Sequence, residues 1–265
     1  MITGTAYATM DYYIDTHTHL YDEMFHDDAE DAVHRAMDAG VTRMIFPDID
    51  SSSRRAMLDL AAKFPGHIFT GLGLHPTSVD SRWRENLEEI EGLTDSGTIA
   101  IGETGMDCYW SRDFVKEQED AFEWQVRLAC RKGLPVIIHS REATELIFNV
   151  LERCRSLHPR GVFHAFSGSI ETFRRMERYG DWYVGIGGVV TFKKAGIAET
   201  VKDIPLERIV LETDSPYLTP VPHRGERNES SYIPLIAEKI ALQKGTSVSE
   251  VAEITTANAR KLFNI

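Results

Sequence analysis

Short apolar runs rich in β-branched residues recur along the chain. Each is followed by a longer stretch in which apolar residues fall at helical intervals. Eight runs read as strands: "YYIDTH" around Ile14, "VTRMIFPDI" from Val41, "IFTGLGLH" from Ile68, "TIAIGETG" from Thr98, "LPVIIHS" from Leu134, "GVFHAF" from Gly161, "WYVGIGGVV" from Trp182 and "RIVLETD" from Arg208. Between them, "DAEDAVHRAMDAG" ends on Gly40, a natural C-terminal stop. "SSSRRAMLDLAAKF" opens on serines suited to N-capping, and "FVKEQEDAFEWQVRLACRKG" carries the spacing of a long amphipathic helix. The last helix opens at Ser247 with Glu250 three residues on, a capping-box signature.

Strands alternating with helices predict a parallel sheet covered by helices. Eight such units in 265 residues fit a single-domain α/β fold, the (β/α)8 TIM barrel. An open doubly wound sheet is the rival. It would want a Gly-rich phosphate turn after the first strand, and neither "GIGG" at 185–188 nor "GLGLHP" at 71–76 supplies one. Residues 1–10 read as an N-terminal extension and 11–265 as the barrel domain.

Polar residues gather where the predicted strands end. His17 and His19 close the first, His75 the third, Glu103 the fourth, His139 the fifth and Asp214 the eighth, and His164 lies on the sixth. Barrel chemistry concentrates at the C-terminal ends of the strands. The period of two along a strand aims His17 and His19 to one side, pairs Glu212 with Asp214, and sets Ile137 below His139 and Ile101 below Glu103. Taken singly, a strand-end histidine is an ordinary hydrogen-bonded residue and a strand-end acid an ordinary helix cap. Their convergence on one rim is what points to a metal site. Glu212 has two readings, a group orienting a ligand or a buried charge paired with a cation, and Asp15 has the same two. Asp107 and Arg141 are candidates for touching substrate or steadying a ligand; Arg141 reads equally as a solvated residue in the first turn of a helix.

Composition narrows the class. Apolar residues make up 42% and charged residues 26%, as in an ordinary globular protein. A net charge of -12 argues against a broad basic surface gripping nucleic acid, though bound divalent ions can supply local positive charge. Cys108, Cys130 and Cys154 are odd in number and widely spaced, so free thiols in a reducing compartment are expected. No apolar run approaches the roughly 20 residues that span a bilayer, and the first residues do not read as a signal peptide. A cytoplasmic protein without a membrane association or a stable protein partner is the expectation.

"IDTHTHLYD", "GLHP", "AIGETGMD", "PVIIHSREA", "FHAFSGS" and "LETDSPYLTPVPHRGERNE" occur in this order from about Asp11 to the C-terminus. Together they resemble the TatD family of metal-dependent hydrolases, within the amidohydrolase-like barrels. The resemblance implies two divalent metal ions. His17, His19 and Asp214 would hold one, His139 and His164 the other, with Glu103 bridging both. It implies phosphodiester hydrolysis of DNA, as a 3'-5' exonuclease on single strands or 3' ends. The chemistry expected of such a site is attack by a hydroxide activated at the two ions, with Glu103 and Asp214 as the catalytic carboxylates and Asp214 also accepting a proton. His75 would lie near the substrate phosphate, and Arg224 would serve the substrate or the last loop. The mixed nitrogen and oxygen donors suit Zn, Mn, Fe, Co or Ni, and Mg less well. Two positions depart from the family pattern: Ala165 where cysteine is common and Ser230 where proline is usual.

A small-molecule amidohydrolase acting on a lactone, amide or phosphate ester is the nearest alternative. Such enzymes commonly bridge their metals with a carboxylated lysine, and "LPVIIHS" has none. A metal-free barrel serving as a scaffold is the alternative outside enzymes, and it would not require six ligands at one rim.

Overall fold

The computed structural model describes residues 13–265; the extension expected at 1–10 lies outside the described residues. The strands are β1 (Tyr13–Asp15), β2 (Val41–Pro47), β3 (Ile68–Leu72), β4 (Thr98–Asp107), β5 (Val136–Arg141), β6 (Arg160–Phe163), β7 (Asp181–Ile186) and β8 (Ile209–Leu211). They form one eight-stranded parallel sheet in chain order. Across the remaining seam, Thr16 N–H donates to Leu211 O (2.9 Å), Asp214 N–H to His17 O (2.9 Å) and His19 N–H to Ser215 O (2.8 Å). The result is a nearly closed TIM barrel.

The helices are α1 (Ala29–Asp38), α2 (Ser51–Lys63), α3 (Trp83–Leu93), α4 (Val115–Lys132), α5 (Thr144–Cys154), α6 (Ile170–Met176), α7 (Ile197–Asp203), α8 (Ile233–Lys244) and α9 (Val248–Phe263). Two caps differ in detail from the sequence reading. Asp50, not a serine, caps α2, its carboxylate accepting from Ser52 N–H at 2.9 Å. Ser247 caps α9 by accepting from Glu250 N–H at 3.1 Å, but the Glu250 carboxylate turns to the Thr246 hydroxyl instead of completing the box.

The apolar positions sort into two shells. The outer one lies between sheet and helices. The inner one fills the barrel with Ile14, Ile45, Ala100, Ile137, Val162, Tyr183 and Val210. Each fully buried large aliphatic there contributes roughly 1.5–3 kcal/mol of transfer free energy. Ala259, Leu262 and Phe263 of α9 join this inner cluster. Arg160, at the start of β6, donates to Leu262 O at 2.5 Å, so α9 closes the end of the barrel away from the polar rim.

One parity expectation fails. Ala100, not Ile101, faces the interior, and Ile101 packs outward under the helices. Ile101 pairs with Val136 but Thr104 with Ile138, so β4 carries one residue more than β5 over this step. The bulge reverses the side-chain alternation and brings Glu103 inward. It forms at Gly102 (φ 159°), where an added Cβ would sit 2.6 Å from the Ile137 Cβ.

Candidate functional site

β1 ends at Asp15, so strand pleating does not extend to His17. Asp15 itself turns the chain. Its carboxylate accepts from His17 N–H (3.2 Å), from Thr213 N–H (3.0 Å) and from the Thr213 hydroxyl (2.6 Å). Those donors are neutral, no side-chain cation among the described residues is seen to pair with Asp15, and burial raises its pKa to about 7. Beyond the turn, Thr18 bridges Ser215 in parallel fashion, which restores the alternation and leaves His17 and His19 on one side with their Nε2 atoms 3.0 Å apart. Ser230, the departure from proline, is buried and donates to the Thr18 hydroxyl at 3.2 Å; it belongs to this seam.

The Glu103 carboxylate stands between two groups of imidazoles. Its Oε2 lies 3.1 Å from His17 Nε2 and 3.7 Å from His19 Nε2, and its Oε1 lies 2.9 Å from His139 Nδ1 and 2.7 Å from His164 Nε2. Asp214 Oδ1 completes the first side, 3.6 Å from His17 Nε2 and 3.7 Å from His19 Nε2. The His17 and His164 rings stack at 3.9 Å between centroids.

Hydrogen bonds at the far side of the rings fix which nitrogen faces inward. Burial, with the Asp48 and Glu103 charges, raises the Tyr21 pKa well above its ordinary value, so its hydroxyl keeps its proton. That proton goes to Pro47 O, which can only accept. His19 Nδ1, 2.8 Å from the same hydroxyl, must therefore donate, leaving a lone pair on Nε2. His139 Nε2 lies 3.0 Å from Asp107 Oδ2, and in the neutral ring this contact leaves the lone pair on Nδ1. His75 is the opposite case. Its Nδ1 accepts from Thr77 N–H at 3.2 Å, so Nε2 carries the hydrogen and points it toward Glu103 Oε1, 3.4 Å away.

The donor set suits cations. His17, His19 and Asp214 offer ligand atoms within 4.8 Å of one another, as do His17, His164 and Glu212, and His75, Glu103 and His139. Acceptors converge here with few protons to share, and the buried Glu212 Oε2 has no hydrogen-bond partner among the described residues. Burial works against charge on every group. Yet Glu103 is held well below its ordinary value by His164, His17 and His75, while Glu103, Asp214 and Glu212 lift His164 to about 10. Burial pushes Glu212 to about 8 and Asp214 to about 6. The carboxylates thus draw positive charge into the mouth, as protons on imidazoles or as metal ions.

The other sequence candidates are spread around this cluster. Glu212 Oε1 accepts from Ala165 N–H at 2.5 Å and lies 3.8 Å from His164 Nδ1. Space for this carboxylate exists because residue 185 is glycine; a Cβ there would overlap it. Asp107 Oδ1 accepts from Tyr109 N–H (2.9 Å) and Trp110 N–H (3.2 Å) while Oδ2 meets His139. Arg141 ends β5 and lies over the Tyr109 ring at 3.9 Å, outside any helix. Arg224 is exposed and lies over Phe192 at 3.7 Å, on the outer rim of the mouth.

Four supporting residues escaped the sequence reading. Besides Tyr21, Asp48 at the end of β2 accepts Glu103 N–H on its carbonyl (2.9 Å) and Arg54 Nε on its carboxylate (2.7 Å). Gln118 and Gln125 lie two turns apart on α4. Gln118 pairs with the backbone of Asp107 (2.9 and 3.2 Å), and Gln125 with that of Leu74 (2.9 and 3.2 Å). Buried glutamine at helical spacing on an apolar face was the available signal.

The chain is similar to known proteins along nearly its whole length. The family model described as "TatD related DNase" matches residues 14–264. The "Uncharacterized metal-dependent hydrolase YabD" of Bacillus subtilis is 37% identical over 253 residues, covering 95% of this chain and 98% of that one. The "3'-5' ssDNA/RNA exonuclease TatD" of Salmonella typhimurium is 34% identical over 260 residues, covering 95% and 98%. A crystal structure of YJJV, a TatD homologue from Escherichia coli K12, superposes with a TM-score of 0.86 at 27% identity, covering 96% of this chain and 99% of that one. The chain belongs to the TatD-related DNase family and is a metal-dependent hydrolase acting on ester bonds.

Proposed function

We propose that this hydrolase is a deoxyribonuclease that trims single-stranded DNA from the 3' end, in the cytoplasm, with two divalent ions held at the barrel mouth. The observation that carries the reading is the Glu103 carboxylate, with one oxygen turned to His17 and His19 and the other to His139 and His164. The exonuclease name of a relative at 34% identity points the same way. His17, His19 and Asp214 would hold one ion, His139 and His164 the other, and Glu103 would touch both. When bound, such ions supply Lewis acidity, neutralising phosphate charge and acidifying water.

The chain's own groups do the rest. Tyr21 and Asp107 keep the inward lone pairs of His19 and His139 available. His75 offers its Nε2–H as a donor to a non-bridging phosphate oxygen. Asp214, whose side chain is 16% exposed at the edge where water enters, takes the proton of the attacking water. Glu212 accepts from Ala165 N–H and steadies the turn that carries His164.

The test is degradation of a labelled single-stranded oligonucleotide, DNA and RNA in parallel, across Zn, Mn, Mg, Co and Ni. Stepwise loss from the 3' end, abolished by EDTA and by Asp214→Asn, is the expected result. An intact strand beside rapid hydrolysis of a lactone or amide would overturn the proposal.

A further inference from the structure

Two large aromatic side chains stand open to solvent at the rim. Tyr109 is 52% exposed and Trp110 69%. Their turn follows β4 and is anchored to the site, because Asp107 accepts both backbone N–H groups on one oxygen and meets His139 with the other. The turn is also tied to β5: Asp107 pairs with Arg141 in the ladder, and Cys108 N–H donates to Arg141 O at 2.9 Å. The Arg141 guanidinium lies 3.9 Å over the Tyr109 ring and 5.2 Å from that of Trp110, and the two rings meet edge to face at 5.0 Å. One face of Tyr109 is thus covered by a cation, while Trp110 remains open.

We propose that Trp110 is a stacking platform for a nucleobase of the bound strand, with Arg141 taking a neighbouring backbone phosphate. The inference rests on the strand-end reading of the site and specifies how that strand is held. Exposed aromatic rings bind single strands because every base presents a π face, which tolerates any sequence. A cation beside the ring fits the backbone, and it matters more in a chain of net charge -12. The platform is built on two paired strand ends, one of which carries a residue of the imidazole cluster. A base stacked on it is therefore held in register with that cluster.

The holoenzyme is assayed on two 3'-labelled oligonucleotides of equal length, one with bases and one abasic near the 3' end. Wild type should show a KM ratio favouring the base-bearing strand by roughly 5–150-fold, the range for one base–aromatic stack. Trp110→Ala should bring that ratio close to one, and Trp110→Phe should restore most of it. Arg141→Ala should flatten the slope of log KM against log salt by about 0.7, one phosphate contact on a single strand. Trp110→Ala retaining the wild-type ratio would overturn the platform while leaving the exonuclease reading intact. A wild type that degrades neither strand would overturn both. A wild type that trims both strands with equal KM would also overturn the platform.

Discussion

Tyr21→Phe isolates the tautomer control of His19. The substitution removes one oxygen and keeps the ring that packs on Phe46 at 5.5 Å between centroids. It takes away the acceptor for His19 Nδ1–H and the donor to Pro47 O, both in a buried setting. Each polar group left without a partner costs about 1–3 kcal/mol, so the folded state loses stability even if water reaches one of them. His19 is then free to place its hydrogen on either nitrogen. A ring with the hydrogen on Nε2 presents no lone pair to a metal. Partners of this kind are typically worth 10–100-fold in metal affinity, or about 1.4–2.7 kcal/mol. Chelator competition would measure the affinity, urea unfolding the stability, and nitrogen NMR of the histidine rings the tautomer. We expect weaker metal binding, a lower unfolding midpoint and a mixed tautomer at His19. Wild-type affinity in a variant whose His19 still carries its hydrogen on Nδ1 would refute the assignment of Tyr21 as the group in control.

Asp28 is clamped by Arg227 (2.7 Å) and Arg35 (3.0 Å), and the Arg227 contact leads in lowering its pKa to about 2 from 3.8. A depressed carboxyl stabilises the fold above its unfolded value and loses that contribution as pH falls from about 3.8 through about 2. With Asp28 29% and Arg35 40% exposed, solvent screening leaves about 1 kcal/mol. Asp28→Asn should therefore be less stable than wild type by that amount in urea at pH 7, with the gap shrinking as pH falls below about 3.8 and closing only below about 2; a constant gap would refute the linkage. Gln125→Leu strands the Leu74 N–H and carbonyl and should cost about 2–6 kcal/mol in urea unfolding, with a rise in KM because His75 follows directly; an unchanged midpoint would show that water replaces the amide. Gly185→Ala places a methyl on the Glu212 carboxylate and should cost about 1–3 kcal/mol, as overpacking does; a calorimetric Tm equal to wild type would mean that Glu212 moves freely.

Much of this architecture was legible because the signals were redundant. Each strand candidate overlaps an observed strand, to within one or two residues at the ends in four of them, since a run such as "PVIIH" has a single burial solution between helical neighbours. The rim residues were legible because polar side chains at the end of an apolar run must meet water, a ligand or one another. What failed was local geometry. Nothing in "AIGETG" announces that Gly102 admits an extra residue, so Ile101 was assigned the interior position that Ala100 holds. The convergence of His17 and His19 was expected from pleating, but it arises from the Asp15 turn and the Thr18 bridge to Ser215, a pairing of residues nearly two hundred positions apart. Tyr21 and Asp48 were illegible for a similar reason, because each also bonds across to another strand, Tyr21 to Pro47 of β2 and Asp48 to Glu103 of β4.

The foot of the barrel is stoppered by α9, with Leu262 and Phe263 wedged among the inner side chains and Arg160 latched to the helix end. Traffic therefore has a single doorway. For the strand end proposed above, whatever is cut would have to back out past the strand that delivered it, or the strand would have to let go first. A through-tunnel would let such a polymer ratchet forward; a blind-ended vessel would favour its release and rebinding at each step.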